Sequence, residues 1–203
     1  MNPGYLSLIW MVMTVILLAS GWKDVFLRDV PNGKIAVFFA LWLPLSFLPV
    51  EVGRITIYGI YPLLAIIGLY GLAARDAGQR RLQMVTAIIL LGTVDFGMRQ
   101  TEGIAAPAMP DSSFVLAVAV TLLVRRPAKQ IAVLSLSLLL SSAMFLYVTG
   151  GRLPSVLGDA RFQDHWWMTV CLARIWTVLA EGIAAAAKAG YSSILERTRQ
   201  WRK

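Results

Sequence analysis

Seven apolar runs separated by short polar segments set the pattern of this chain. They are Met1–Gly21, Ile35–Val50, Ile55–Ala74, Leu82–Gly97, Phe114–Val124, Gln130–Thr149 and Trp167–Ala187. A helix that crosses the ~30 Å hydrocarbon layer of a bilayer needs about 20 mostly apolar residues. The pattern predicts an all-α fold: a polytopic membrane helix bundle with seven transmembrane helices over residues 1–190, then a basic cytoplasmic tail over 191–203.

Local residues refine each run. The first run has no Lys or Arg before its apolar region, so it reads as a retained helix and not as a cleaved signal. Val25, Phe26 and Leu27 stand between charges and suggest a stretch lying at the membrane surface. Pro44 and Pro49 predict a bend in the second helix, because proline removes a backbone donor. The connection Glu51–Arg54 is so small that the second and third helices are expected to form a tight hairpin. Tyr58, Tyr61 and Tyr70 fit interfacial belts, and Gly59, Gly68 and Gly71 permit close helix approach. The fifth run has only 11 residues, so either Ile104–Ser113 completes the crossing in broken form or the bilayer thins around it. Ser135, Ser137, Ser141 and Ser142 are packing residues of the sixth helix. Gly150–Asp164 reads as the longest outer loop. His165 is expected as a surface imidazole there, with Trp166 and Trp167 as an interfacial anchor. In the tail, Ser193 and Glu196 make a capping-box pattern that predicts a short basic helix on the anionic inner leaflet.

Composition agrees with this picture, and charge orients it. The chain is 58% hydrophobic, with a mean hydropathy of +0.67, and 15% charged, against about 25% in a soluble domain. The net charge of +8 reads as topology charge and not as a nucleic-acid footprint. Basic residues number none before the first run, then three, one, three, one, three and two in successive connections, and five after the last run. High and low values alternate without exception. Fourteen basic residues fall on one side and four on the other, and Arg174 is the nineteenth. The N-terminus is therefore expected outside and the C-terminus inside.

Candidate chemistry is confined to a few intramembrane charges. Arg174 and Glu181 lie within the last run, where an ionisable residue is costly unless it finds partners or a wet cavity. Asp95, Arg99 and Glu102 share one helical face by their spacing of four and three. Depths counted from the outer ends predict a contact between Asp95 and Arg174, with Glu181 continuing a polar track toward the cytoplasm. Gly182, Ala186 and Gly190 form a smooth ridge suited to another helix. One cysteine, Cys171, excludes an internal disulfide and any CxxC site. HExxH and GxSxG are absent, and one histidine cannot form an all-His metal site. Lys188 lies at the helix end, where it is poorly placed for a retinal Schiff base. No catalytic, cofactor-binding or metal residue is expected.

Ser20-Gly21-Trp22, Arg28, and Phe38-Phe39 with Trp42 make the chain resemble the YphA-like family of small membrane proteins from spore-forming bacteria. The resemblance implies a multi-pass protein of the bacterial cytoplasmic membrane with no assigned activity, and it supplies no catalytic residues. The expected function is a non-enzymatic interaction or structural component of that membrane. Its partners would be the lipid bilayer, itself or another membrane protein, and no nucleic acid. The alternative is a small transporter or channel using the Asp95/Arg174/Glu181 track.

Overall fold

Helices form at the apolar runs, but their ends fall elsewhere than expected. The computed structural model describes residues 2–28, 30–73, 78–101, 111–149 and 155–200, without the side chains of 78–80, 155, 189–190 and 192–200. Helix α1 (Tyr5–Leu17) passes through a wide helical turn at Leu18–Trp22 into the short α2 (Lys23–Phe26). Gly21 makes that break possible, since its φ of +91° lies in the left-handed region. Helix α3 (Asn32–Ser46) follows, then strands β1 (Pro49–Val52) and β2 (Ile55–Tyr58). Next come α4 (Ile60–Ala73), α5 (Gly78–Thr101), α6 (Ser112–Leu123), α7 (Pro127–Val148), strand β3 (Ser155–Leu157) and α8 (Ala160–Gln200). Among the described residues four stretches are long and apolar enough to cross a membrane: Tyr5–Phe26, Arg81–Thr101, Pro127–Val148 and Ala160–Lys188. Helices α3, α4 and α6 are apolar but shorter.

The three-stranded sheet corrects the expected helical hairpin. Ile55–Tyr58 does not begin a helix; it pairs antiparallel with Pro49–Val52 around the two-residue turn Gly53-Arg54. Gly53 takes φ +66°, which the first position of such a turn requires. The β-branched and aromatic residues Ile55, Thr56, Ile57 and Tyr58 suit the extended backbone better than a helical start. Strand β3 then pairs parallel with β2, so the α3–α4 and α7–α8 connections meet at one end of the bundle, the sheet end.

Leu91 of α5, Leu116 and Val120 of α6 and Leu134 and Leu138 of α7 are fully buried, as are Ile60 and Leu64 of α4. Helix α4 lies directly on α7 because two of its residues lack a side chain. A Cβ on Gly68 would stand 2.5 Å from Leu136 Cγ, and one on Gly71 would stand 2.4 Å from Ala132 Cβ. Gly92 of α5 serves the same purpose against the Ser137 carbonyl oxygen, 2.9 Å from its would-be Cβ. Ser135, Ser137 and Ser141 are buried packing residues of α7.

Helix α8 starts at Ala160, seven residues before the expected Trp167. The signal is Asp159, whose Oδ1 accepts the Phe162 N–H at 2.9 Å and caps the first turn. Trp166 and Trp167 are consequently inside the bundle and are not an interfacial anchor. They pack with Phe38, Phe39 and Trp42 of α3, with ring centroids 5.0 Å apart for Trp42–Trp166 and 5.3 Å for Trp42–Trp167. The far end of α8 also differs from expectation. The helix continues unbroken to Gln200, so Ser193 and Glu196 lie in a helix interior and start no separate helix. Its 41 residues make a rod of about 60 Å, twice the hydrocarbon thickness.

Candidate functional site

Two polar clusters occupy the bundle, and they are separate. At the sheet end Asp95 is fully buried on α5. Its Oδ1 accepts the Nε2–H of His165 at 3.1 Å, and its Oδ2 lies 2.9 Å from Arg99 Nε, an ion pair not aligned as a hydrogen bond. Buried Ser141 of α7 stands beside the carboxylate. A carboxylate can only accept, so Nε2 carries a ring proton, and Nδ1 is hydrogen-bonded to the Ser113 hydroxyl at 2.8 Å. Ser113 is the second residue of α6, and its N–H donates to the N-cap Asp111 at 2.9 Å. His165 is therefore a half-buried link between α5, α6 and α8, contrary to the expected surface imidazole. The loop reading failed because α8 begins five residues before it.

Nearby, α8 also holds the start of α1. Asp164 accepts the Gly4 N–H at 2.7 Å and the Ser7 N–H at 2.6 Å, so a carboxylate on one helix caps the first turn of another.

The second cluster surrounds Arg174, which is 3% exposed. Its Nη1 donates to Gln130 Oε1 at 2.9 Å, its Nε to the Phe26 carbonyl at 2.7 Å and its Nη2 to the Val25 carbonyl at 3.1 Å. Those carbonyls end α2, where the helix dipole is negative. Gln130 in turn donates to Thr177 Oγ1 and to the Val124 carbonyl, tying the α6–α7 turn to α8. A planar guanidinium with several donors suits this arrangement of spread acceptors.

The expected contact between Asp95 and Arg174 is not made. Arg174 lies fourteen residues inside α8, about 21 Å from its start, where a start at Trp167 implied half that depth. His165, the residue that meets Asp95, precedes Arg174 by nine residues or about 13 Å of helix. Glu181 does not continue a buried track. It is 53% exposed and pairs with Arg28 at 3.2 Å on the surface. Arg99 pairs with Asp95 as its spacing predicts, while Glu102 lies outside the described residues. On the ridge, Gly182 and Ala186 are exposed, a Cβ on Gly182 would meet nothing within 4 Å, and the surroundings of Gly190 lie outside the description. Among the described residues no group of three His, Cys, Asp or Glu side chains is placed to hold a metal ion. Buried Cys171 packs against Thr14 of α1, 3.8 Å from its hydroxyl.

His165, Ser113, Gln130 and Asp164 are the members that sequence reasoning missed. Asp159, an N-cap residue type just ahead of the apolar periodicity, is the clue that moves His165 from a loop into a helix.

The class defined here is an all-helical bundle with a small sheet at one end and four helices long and apolar enough to cross a membrane. No family model, curated protein or solved structure matches the chain.

Proposed function

We propose that the chain is a seven-crossing protein of the bacterial cytoplasmic membrane, N-terminus outside and C-terminus inside, akin to the YphA-like family, that acts by binding a second copy of itself or another membrane protein and performs no chemistry. The weave is supported by which segments meet. The start of α1 and the α3–α4 and α7–α8 connections share the sheet end, whereas Arg28 meets Glu181 and Lys34 meets Tyr70 at the opposite end. The basic residues Arg28 and Lys34 lie at that opposite end, as those of cytoplasmic loops do.

The observation that carries the interaction reading is a contrast between glycines. Gly68, Gly71 and Gly92 each face a neighbouring helix so closely that a methyl group would clash. Gly182 has the same kind of small-residue setting with Ala186 one turn on, yet among the described residues nothing fills the space. Beside it Leu179 and Ile183 are exposed, Ile183 by 71%. In lipid, close backbone approach is what drives helices together, so an unfilled seam of this kind favours a second helix.

The transporter reading has no specific observation in its favour. Thr169, Val170 and Ala173 are packed on α8 between the Asp95 and Arg174 clusters, and Glu181 faces outward.

The test is the double variant Gly182→Leu/Ala186→Leu in the full chain, with Gly97→Leu as a control, since Gly97 on α5 is equally open. The double variant should keep the thermal midpoint of the parent in detergent and lose its oligomer or its co-purifying membrane partner, while Gly97→Leu changes neither. Unchanged assembly in the double variant overturns the interaction reading. A reporter after Lys203 active only on the external face overturns the orientation.

A further inference from the structure

Four side-chain polar atoms among the described residues are buried and lack a hydrogen-bond partner: Asp95 Oδ2, Arg99 Nη2, Ser141 Oγ and Trp167 Nε1. The first three surround one carboxylate. Arg99 Nε lies 2.9 Å from Asp95 Oδ2, and Nη2 is the neighbouring donor of the same planar group. Ser141 reaches the carboxylate from α7, and both residues are fully buried. We propose that one water molecule is bound here. It donates to Asp95 Oδ2 and accepts from Arg99 Nη2, and Ser141 Oγ is its third partner.

The backbone sets up this meeting. Helices α5 and α7 come close at Gly92, where a Cβ would stand 2.9 Å from the Ser137 carbonyl oxygen. Asp95 lies three residues on in α5 and Ser141 four residues on in α7, so each stands about one turn beyond that approach. An unpaired buried donor or acceptor carries its full desolvation penalty, and three at one helix junction call for a common partner.

The three atoms select what that partner is. Oδ2 of an ionised carboxylate can only accept, a guanidinium can only donate, and a hydroxyl does either. The occupant must therefore offer both a proton and a lone pair. The guanidinium repels a metal ion or an ammonium, and the carboxylate repels an inorganic anion. Water is the smallest neutral molecule that meets the requirement, and two to four polar partners are what a buried water holds. Asp95 Oδ1 already has the His165 Nε2–H at 3.1 Å, so the water completes the carboxylate. It also extends the line from Ser113 through His165 and Asp95 to Arg99, whose side chain is 27% exposed. The site lies within one chain and is independent of how that chain assembles.

The test is a crystal structure of the full chain in detergent, at a resolution that shows ordered water. A single peak should lie within about 2.5–3.2 Å of Asp95 Oδ2, Arg99 Nη2 and Ser141 Oγ. Direct bonds from Ser141 and Arg99 to Asp95, with no peak between them, overturn the proposal. A second measurement works in solution. Ser141→Ala removes one partner of three and should leave the water on Asp95 and Arg99. The new methyl group has no exchangeable proton, and its position is closed to bulk solvent. With methyl-labelled alanine, it should show magnetisation transfer from water. The Ala132 methyl, 3% exposed and packed against α4, should show none. Absence of transfer at the new methyl, or equal transfer at both, overturns the proposal. If the variant loses its monodisperse detergent peak, the crystal structure of the parent decides alone.

Discussion

Asp164 accepts the backbone N–H of Ser7 at 2.6 Å, so the first turn of α1 is closed by a side chain 157 residues away. The first N–H groups of a helix have no partners of their own, and here none of the α1 residues before Ser7 offers a capping side chain. The carboxylate also opposes the positive helix end. Asp164→Ala should therefore destabilise the folded chain by about 1–2 kcal/mol. Asp164→Asn should recover part of that loss through its amide oxygen. Unfolding midpoints in detergent read both. Hydrogen exchange should rise first in Tyr5–Met11. Equal exchange across the chain would mean the contact is not a local clamp.

A different kind of clamp sits at Arg174. Three acceptors from two segments, the Val25 and Phe26 carbonyls of α2 and Gln130 of α7, converge on its guanidinium. Arg174→Met removes that donor from two part-buried carbonyls and from the buried Gln130 Oε1, which keeps only Thr177 Oγ1 at 3.3 Å, at about 0.5–1.5 kcal/mol for each lost bond. Arg174→Lys keeps the charge but replaces a fork by a point, and it should recover less than half of the loss. Protease access at Lys23–Phe26 and the unfolding midpoint are the measurements. Full rescue by lysine would argue that charge alone, and not geometry, holds α2.

How far these features were legible in the sequence depends on the range of the signal. Helix existence followed from apolar runs, and the helix contacts of Gly68 and Gly71 followed from their lack of a side chain. The Asp95–Arg99 pair followed from helical spacing alone. The sheet was hidden because Ile55–Tyr58 is apolar enough to extend the run behind it, and its third strand comes from about 100 residues later. Asp95–His165 and Arg174–Gln130 were hidden because both depend on where α8 begins. A shift of seven residues moves every depth on that helix by about 10 Å.

The aromatic cluster makes α3 dependent on two residues of α8. Among α3 residues only Trp42 is buried, and it touches both Trp166 and Trp167. Trp42→Ala should cost about 3–5 kcal/mol by removing a buried indole. Because α3 has little other burial, its loss should appear as separate detachment of Asn32–Ser46, with hydrogen exchange there rising before that of α7. Trp42→Phe retains ring contacts and should be milder. A single cooperative loss of all helices in Trp42→Ala would show that α3 is integral to the core.

Gly71 tests whether α4 needs its close approach to α7. A side chain there would place its first carbon 2.4 Å from Ala132 Cβ, closer than any relaxed contact. Gly71→Leu should prevent native packing, read as loss of the monodisperse detergent peak. Gly71→Leu with Ala132→Gly returns only the space of one methyl and should rescue partially at best.

Ser113, His165 and Asp95 stand in a hydrogen-bonded line, with Ser113 Oγ 2.8 Å from the ring and the carboxylate 3.1 Å beyond it. A serine, an imidazole and a carboxylate in series is also the arrangement by which serine hydrolases raise a nucleophile. Two features separate this line from that chemistry. Ser113 is 1% exposed, and its partner carboxylate is occupied by Arg99 as well as by the ring. A nucleophile must reach its substrate, and a buried hydroxyl that links two helices does not. The expected outcome is that a fluorophosphonate probe leaves the full chain unlabelled, and that Ser113→Ala lowers the unfolding midpoint by the equivalent of about 1 kcal/mol for one lost hydrogen bond. His165→Ala should cost more, because it also strips Asp95 of its Nε2–H donor. Labelling of the parent that disappears in Ser113→Ala would overturn the non-enzymatic reading and make this line the catalytic centre.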